Sequence, residues 1–443
     1  MTGTDLLLIE RVRSALQPRP PSRIGVAVSG GSDSAALLHL LHDFACDETA
    51  HGRHIALRAV TVDHGLRPES AQEAKAVGEM AEALGVAHDI LKWTTWDGTG
   101  NMQDCARRAR YRLMADWAAS HDIHHIALGH TADDQAETVL MRLGRAAGVD
   151  GLAAMSPRRR MGGVTLLRPL LTVRRAALRK HLQARGIAWI DDPSNDNPAY
   201  ERVRVRRALR TGEAGLSVEA LCTVAQNMAM VREALGWQCF TAARNHVRFD
   251  AGDVVIARRG FRALPVEVSR RILHDALRWV SGAEYGPRGP AMGLLLEALR
   301  GGTAMTLHGC QIVPNGTEIR IFREFQAVRA LDQGFDPSGQ ALWDGRWQLN
   351  APQGVSADGL RLRALGEAGL AYCRRCRAKA ETQARAAGQV PPPAPARPHA
   401  ALIASPAVWR GDALVSAPLA GCAEGWTAEL RRDTESYFTG FLE

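Results

Sequence analysis

Lysine is almost missing from this chain of 443 residues. Only Lys75, Lys92, Lys180 and Lys379 occur, so nearly all of the 55 basic residues are arginine. No apolar run approaches the roughly 18 residues that a membrane-spanning helix needs, and no membrane partner is expected. The N-terminus lacks the secretory order of basic start, apolar stretch and cleavage site. It has instead the pattern of a short amphipathic helix ending before Pro18. Eight cysteines are spread thinly, which argues against a disulfide framework and for reduced thiols in the cytoplasm. Cys373 and Cys376 form a lone CxxC without a second pair or histidines at ligand spacing, a poor zinc site. No Gly-Lys-Ser/Thr follows any glycine-rich turn, so the Walker phosphate loop is excluded.

Positive charge is present but uneven. The net charge is +8. Between Arg158 and Arg210 there are fourteen Lys/Arg against four Asp/Glu, an excess of ten that exceeds the charge of the whole chain. An anionic partner is expected to meet that segment.

Along the first half, short buried-strand patterns alternate with helical ones. Strands are expected at Ile24–Val28, Leu57–Val62, His88–Leu91 and His125–Leu128. Helices are expected at Ala35–Cys46, Ser70–Leu84, Ala106–Ala119 and Asp133–Arg145. This alternation implies an α/β fold with a doubly wound, mostly parallel sheet. Ligands of such sheets sit outside the carboxyl ends of the strands. Beyond about residue 212 come long helical patterns at Ser217–Ala243 and Val266–Val280. Thr303–Glu324 alternates like a hairpin with Asn315-Gly316 as its turn, and residues 391–398 are too proline-rich for helix or sheet. Three domains are expected: 1–211 catalytic, 212–300 helical and 301–443 mixed α/β.

Chemistry-bearing residues cluster at the expected sheet edge. Ser29, Gly30, Gly31, Ser32, Asp33 and Ser34 lie between a strand and a helix. Glycines admit backbone amides to an anion, the helix start adds its dipole, and serine hydroxyls can donate to phosphate. The bland alternative is a Ser/Gly turn with a capping residue. Asp63 and His64 end the second strand in a polar turn, where capping is again the bland reading. Arg107 and Arg110 stand three apart on a helix, a spacing that suits a phosphate or oxyanion as well as a solvated basic face. His130, Asp134 and Glu137 begin another helix, where acids are ordinarily stabilised by the dipole. Arg145 and the run Arg202, Arg204, Arg206 and Arg207 fit RNA phosphates.

These motifs together carry a family resemblance. Ser29–Ser34 resembles the SGGxDS pyrophosphate signature of the PP-loop ATP pyrophosphatases. VDHGLR (62–67), the Asn101/Gln103 and Ala106–Tyr111 segment, GHTADDQAET (129–138), Arg142–Met155, Arg168–Leu171 and Asp191–Asn195 resemble, in order, the motifs of tRNA(Ile)-lysidine synthases within that superfamily. Two departures are local: Ala146 stands where the family usually has glycine, and Val203 where it often has asparagine. The resemblance is strong over residues 23–207 and weak beyond. It implies that the loop holds the pyrophosphate of ATP, that Asp63 and His64 lie on the nucleotide side, and that Asp33 helps hold Mg2+. It further implies Arg110 in catalysis and free L-lysine received by His130, Asp134 and Glu137, with Glu137 helping to deprotonate its amine. The implied partner is tRNA(Ile) with a CAU anticodon, whose wobble cytidine is adenylated and then joined to lysine. Two alternatives remain: a PP-loop enzyme that thiolates tRNA cytidine, and a non-catalytic RNA- or nucleotide-binding protein. The sequence leaves the oligomeric state open, a homodimer included.

Overall fold

The computed structural model describes residues 3–63, 65, 70–93, 102–191, 199–212, 215–387, 389–390 and 395–442. Several sequence features lie outside the described residues: His64, Leu66, Arg67, Asn101, the side chain of Gln103, Asp192–Asn195 and residues 391–394. The chain divides into two compact units, residues 1–232 and 233–443.

The first unit opens with α1 (Gly3–Leu16) and then alternates: β1 (Arg23–Ala27), α2 (Ser32–Ala50), β2 (Ala56–Asp63), α3 (Ser70–Ala83), β3 (Ala87–Lys92), α4 (Met102–Ser120), β4 (His125–Leu128) and α5 (Ala132–Leu143). A short α6 (Val149–Leu152) precedes a hairpin, β5 (Arg158–Met161) and β6 (Val164–Leu167). Then come α7 (Arg175–Ala184) and α8 (Glu201–Thr211). The sheet order is β3-β2-β1-β4-β6-β5. Every pairing is parallel except the edge hairpin β5–β6. This is the doubly wound α/β sheet expected from the sequence. The expected strands and helices of residues 24–145 are present with ends moved by a few residues. The β5–β6 hairpin and α7 belong to a stretch that the sequence marked by its charge and by the Arg168–Leu171 segment, with no element expected there.

Helices cover both faces because both faces of the strands are apolar. One core holds Ile24, Val26 and Val28 against Leu37, Leu38, Leu40, Leu41 and Phe44 of α2. The other holds Ala27, Ile126 and Leu128 against Met114, Trp117 and Ala118 of α4. Each large side chain buried this way contributes about 2 kcal/mol. Two parallel connections diverge at β1 and β4, so the crevice outside their carboxyl ends is the topological switch point where ligands bind in such folds. The loops leaving β1 and β4 are Ser29–Ser34 and Gly129–Asp134.

Helix α9 (Val218–His246) runs through the boundary between the units. At its start, Val218, Leu221 and Ala225 pack with Ala132, Ala136 and Val139 of α5. The second unit contains a five-stranded antiparallel sheet in the spatial order Val247–Asp250, Asp253–Ala257, Glu318–Arg323, Cys310–Pro314, Met305–Leu307. The helix Val266–Ser281 buries Ile272, Leu273, Ala276 and Leu277 in its core. The hairpin turn at Asn315 is present: Asn315 Oδ1 accepts from the amides of Thr317 at 2.9 Å and Glu318 at 2.7 Å. A four-stranded and a three-stranded antiparallel sheet complete this unit. Cys373 is buried on the helix Gly366–Ala386, Cys376 is partly exposed, and among the described residues every cysteine is a free thiol. Among them, too, no helix is long and apolar enough to cross a membrane.

Candidate active site

Gly31 ends the strand-to-helix turn in extended conformation and α2 starts at Ser32 without a side-chain cap. The Ser34 hydroxyl ties the loop together. It donates to Gly31 O at 3.0 Å, accepts from the Ser29 amide at 3.1 Å, and lies 3.2 Å from Ser29 Oγ. Among the described residues, no acceptor meets the amides of Gly30, Gly31, Ser32 and Asp33. A row of unsatisfied amides at a helix start is an anion site. Gly30 has φ +85°, and a Cβ there would stand 2.7 Å from Ile190 Cδ1. The Ile190 amide donates to Gly30 O at 2.9 Å, which fixes the outer wall of the loop.

Gly129 joins this loop to the next motif. A Cβ on it would lie 2.9 Å from Ser34 Cα and 3.0 Å from Asp33 O, both backbone atoms. The carboxyl end of β4 therefore abuts the start of α2 only because residue 129 has no side chain. Two residues on, α5 opens with a capping box. Asp134 Oδ2 accepts from the Thr131 amide and hydroxyl, both at 2.8 Å. Its other oxygen faces a cavity of about 880 Å³, lined by the Ser29–Ser34 loop, Arg110, His130, Glu137, Arg175 and Arg202 among others.

Two buried carboxylates, Asp134 and Glu137, a partly buried one, Asp33, and three guanidiniums meet in that cavity. Arg175 donates from Nε to Asp33 Oδ2 at 2.7 Å, from Nη2 to Asp134 Oδ1 at 2.9 Å and from Nη1 to Glu137 Oε1 at 3.4 Å. Arg202 donates from Nε to Glu137 Oε2 at 2.5 Å and from Nη2 to Asp134 Oδ1 at 2.7 Å. Arg206 donates to both oxygens of Glu137, at 2.8 and 3.4 Å. Glu137 is 1% exposed; unpaired, such a charge would be strongly disfavoured. Burial pushes the Asp134 carboxyl up, but Arg175, Arg202 and the Thr131 amide outweigh it and hold the group below its ordinary value. Burial pushes Asp33 up, against the pull of Arg175.

Arg110 of α4 also lines the cavity, and no described carboxylate pairs with it. Burial lowers its pKa, and a guanidinium keeps its charge in proteins. Arg107 does not share this position: it is exposed and lies over the Tyr111 ring, 5.3 Å from its centroid. His130 has a buried Nδ1 without a partner. Burial, reinforced by Arg168, Arg110 and Arg202, lowers its pKa to about 4, so the imidazole is neutral at pH 7.

The remaining described site residues stand apart from this group. Asp63 ends β2 and accepts from the Gly65 amide at 2.8 Å and Ser70 Oγ at 2.7 Å. Arg145 is exposed and pairs with Glu201. Arg204 is exposed and donates to Ala199 O at 3.0 Å, and Arg207 is exposed. The arginine run thus splits. Arg202 and Arg206, one helical turn apart, face the acids, while Arg204 and Arg207 face solvent. Sequence reasoning missed Arg175 and Arg179. Their signal was the i, i+4 spacing on a helix whose Leu178 and Leu182 point inward.

A PP-loop domain model matches residues 6–212. A tRNA(Ile)-lysidine synthase of Ruegeria pomeroyi is 50% identical over 436 residues, 98% of this chain and 97% of that protein. One of Hyphomonas neptunium is 43% identical over 310 residues, 67% of this chain and 80% of that protein. The U34-tRNA thiolase NcsA from Methanococcus maripaludis, a solved structure with a [4Fe-4S] cluster, is 16% identical at a TM-score of 0.43, covering 52% of this chain and 79% of that one. That likeness is too slight to support thiolation here. With the match to the Ruegeria pomeroyi protein running nearly end to end across both units, the chain belongs to the tRNA(Ile)-lysidine synthase family.

Proposed function

We propose that this cavity uses ATP to adenylate the wobble cytidine of tRNA(Ile) with a CAU anticodon and then joins L-lysine to C2, releasing AMP and pyrophosphate. The observation that carries the reading is the placement of an anion-ready loop and a buried acid pair in one cavity, with Arg110 and a neutral His130 beside them. The PP-loop domain supplies ATP binding. In the first step the C2 carbonyl oxygen attacks the α-phosphorus, and pyrophosphate leaves into the Ser29–Ser34 loop. Arg110 faces the charge developing on phosphate, the kind of preorganised stabilisation that usually dominates such catalysis. In the second step the lysine amine attacks C2 and AMP departs. Asp134 and Glu137 hold the cationic substrate, and Glu137 takes a proton from the amine, which is protonated at neutral pH and cannot attack in that form.

The arginines now bound to Asp134 and Glu137 support a cation site, since these acids hold guanidiniums in the positions proposed for a substrate ammonium. Mg2+ fits the same logic. Among the described residues no cluster of three metal-ligating side chains occurs, but Mg2+ bound with a nucleotide needs only one or two carboxylates plus phosphate oxygens. Asp33, now neutralised by Arg175, would hold it, and the ion would offset charge on the departing phosphates.

Asp63 and His64 are proposed on the nucleotide side, and Arg145, Arg204 and Arg207 on the RNA. The three-domain division and a cytoplasmic location belong to the same proposal. A pyrophosphate-release assay tests it. Release is expected with tRNA(Ile) and ATP, and conversion to AMP plus lysine-bearing tRNA only when lysine is added. Release with every tRNA alike, or a requirement for a sulfur donor, would refute it.

A further inference from the structure

We propose that Arg175 and Arg179 of α7 form the outer jaw of a pyrophosphate clamp whose inner jaw is the Ser29–Ser34 loop. The inference rests on the reading of that loop as the phosphate site. The two arginines are four residues apart, so they share one face of the helix, and both point into the loop. Arg175 reaches Asp33 at 2.7 Å and Arg179 Nε reaches Ser32 Oγ at 3.3 Å. Helix α7 is a fixed platform: Leu178, His181 and Leu182 are buried, and Leu178 and Leu182 belong to the same core as α2. The wall beyond Arg179 is tied to the loop as well, through the Ile190 amide on Gly30 O.

Neither guanidinium is committed to a partner it must keep. Arg179 pairs with Asp191 at 2.8 Å, but the two side chains are 44% and 67% exposed, so that pair is worth little and is readily exchanged. Arg175 shares two of its three carboxylates with Arg202 and Arg206, which continue to neutralise Glu137 and Asp134 if Arg175 turns, while Asp33, which it pairs with by itself, is the acid proposed to take Mg2+. The charge requirement points the same way. As the cytidine oxygen bonds to the α-phosphorus, the bond to the bridging oxygen breaks and its electron pair stays on that oxygen. The leaving pyrophosphate carries more negative charge than one divalent cation cancels. Backbone amides give partial charges only, and the loop itself contains no basic side chain. Arg175 and Arg179 supply the missing full charges, in the fork geometry that matches phosphate oxygens.

The test titrates full-length protein with magnesium pyrophosphate, and separately with AMP, by calorimetry. The variants are Arg179→Gln, Arg175→Lys and Ser34→Ala. Arg179→Gln strands only an exposed acid, and Arg175→Lys keeps a cation among the buried carboxylates, so both are expected to fold. Each is expected to bind pyrophosphate about tenfold more weakly, the loss of one charge-assisted hydrogen bond, with AMP affinity unchanged. If Ser34→Ala weakens pyrophosphate but neither arginine variant does, the clamp is wrong and the loop reading stands. If none of the three weakens it, the loop reading itself fails. An equal loss for AMP and pyrophosphate in the arginine variants would also overturn the clamp.

Discussion

Asp134 shows how one side chain serves structure and chemistry at once. Oδ2 closes the capping box with Thr131, while Oδ1 receives Arg175 and Arg202. The capping and functional readings of this residue are therefore compatible, and only Glu137 separates them, because it takes no part in the cap. Glu137→Gln is expected to raise the KM for lysine about 100-fold, the cost of unpairing a buried cation, while the KM for ATP stays near wild type. Steady-state kinetics with lysine varied decide it, and an unchanged lysine KM would leave Glu137 a structural acid. Ala146 gives a second residue-scale prediction. Its φ of +53° lies in the left-handed region that glycine, usual there in the family, adopts without strain. Ala146→Gly is expected to stabilise the protein by about 0.5 to 1 kcal/mol in denaturant unfolding; a destabilisation would contradict that conformation. His39 is buried with its Nε2 unpartnered, and burial, with Arg185 adding to it, lowers its pKa to about 4. The unfolded chain takes up this proton near the ordinary 6.5, before the folded chain does. Its contribution to stability is present above that value and is lost as pH falls toward about 4. His39→Leu is expected to flatten the fall of stability over that window, and chemical denaturation at several pH values would read it.

At the scale of elements, α8 covers the acids of the site. It has no fully buried residue. Yet Arg202 and Arg206 fill the acceptor positions of Glu137 on both oxygens, and Arg202 shares Asp134 Oδ1 with Arg175. A lysine ammonium cannot bind those acids until an α8 arginine withdraws. Since Arg204 and Arg207 present the other face of the same helix to solvent, RNA phosphates there would favour the withdrawn position. Lysine binding is expected to tighten in the presence of tRNA(Ile), and Arg204→Glu with Arg207→Glu should remove that gain and flatten the salt dependence of tRNA binding by about one to two units. Equal lysine affinity with and without tRNA would refute the coupling. The strand and helix alternation of residues 24–145 was legible because short, nearly continuous apolar runs alternate with stretches of 3.6-residue apolar spacing, and SGGSDS and GHTADDQAET were legible as compact motifs at strand ends. The inward turn of Arg175, Arg202 and Arg206 was not. On a linear chain an arginine-rich helix looks like a solvated face, and only the fold brings the distant acids that reverse that preference.

At the scale of the whole molecule, the start of α9 belongs to the catalytic unit. Val218, Leu221 and Ala225 cover the same apolar surface of α5 that positions Asp134 and Glu137. A chain ending at residue 211 is therefore expected to melt several degrees below one ending at residue 232, a difference of a few kcal/mol in a domain of this size. Among the described residues the second unit carries no comparable cluster of acids and a phosphate loop, and its role in the proposal is to hold the tRNA body while the cavity acts on the wobble base. The most direct test of the central claim is the stoichiometry of labelled lysine transfer by the full-length protein to a tRNA(Ile) transcript with ATP. One lysine incorporated for each AMP and each pyrophosphate formed, abolished when the wobble cytidine is replaced by uridine, is the result expected. Incorporation without AMP formation, or undiminished incorporation into the uridine transcript, would contradict it.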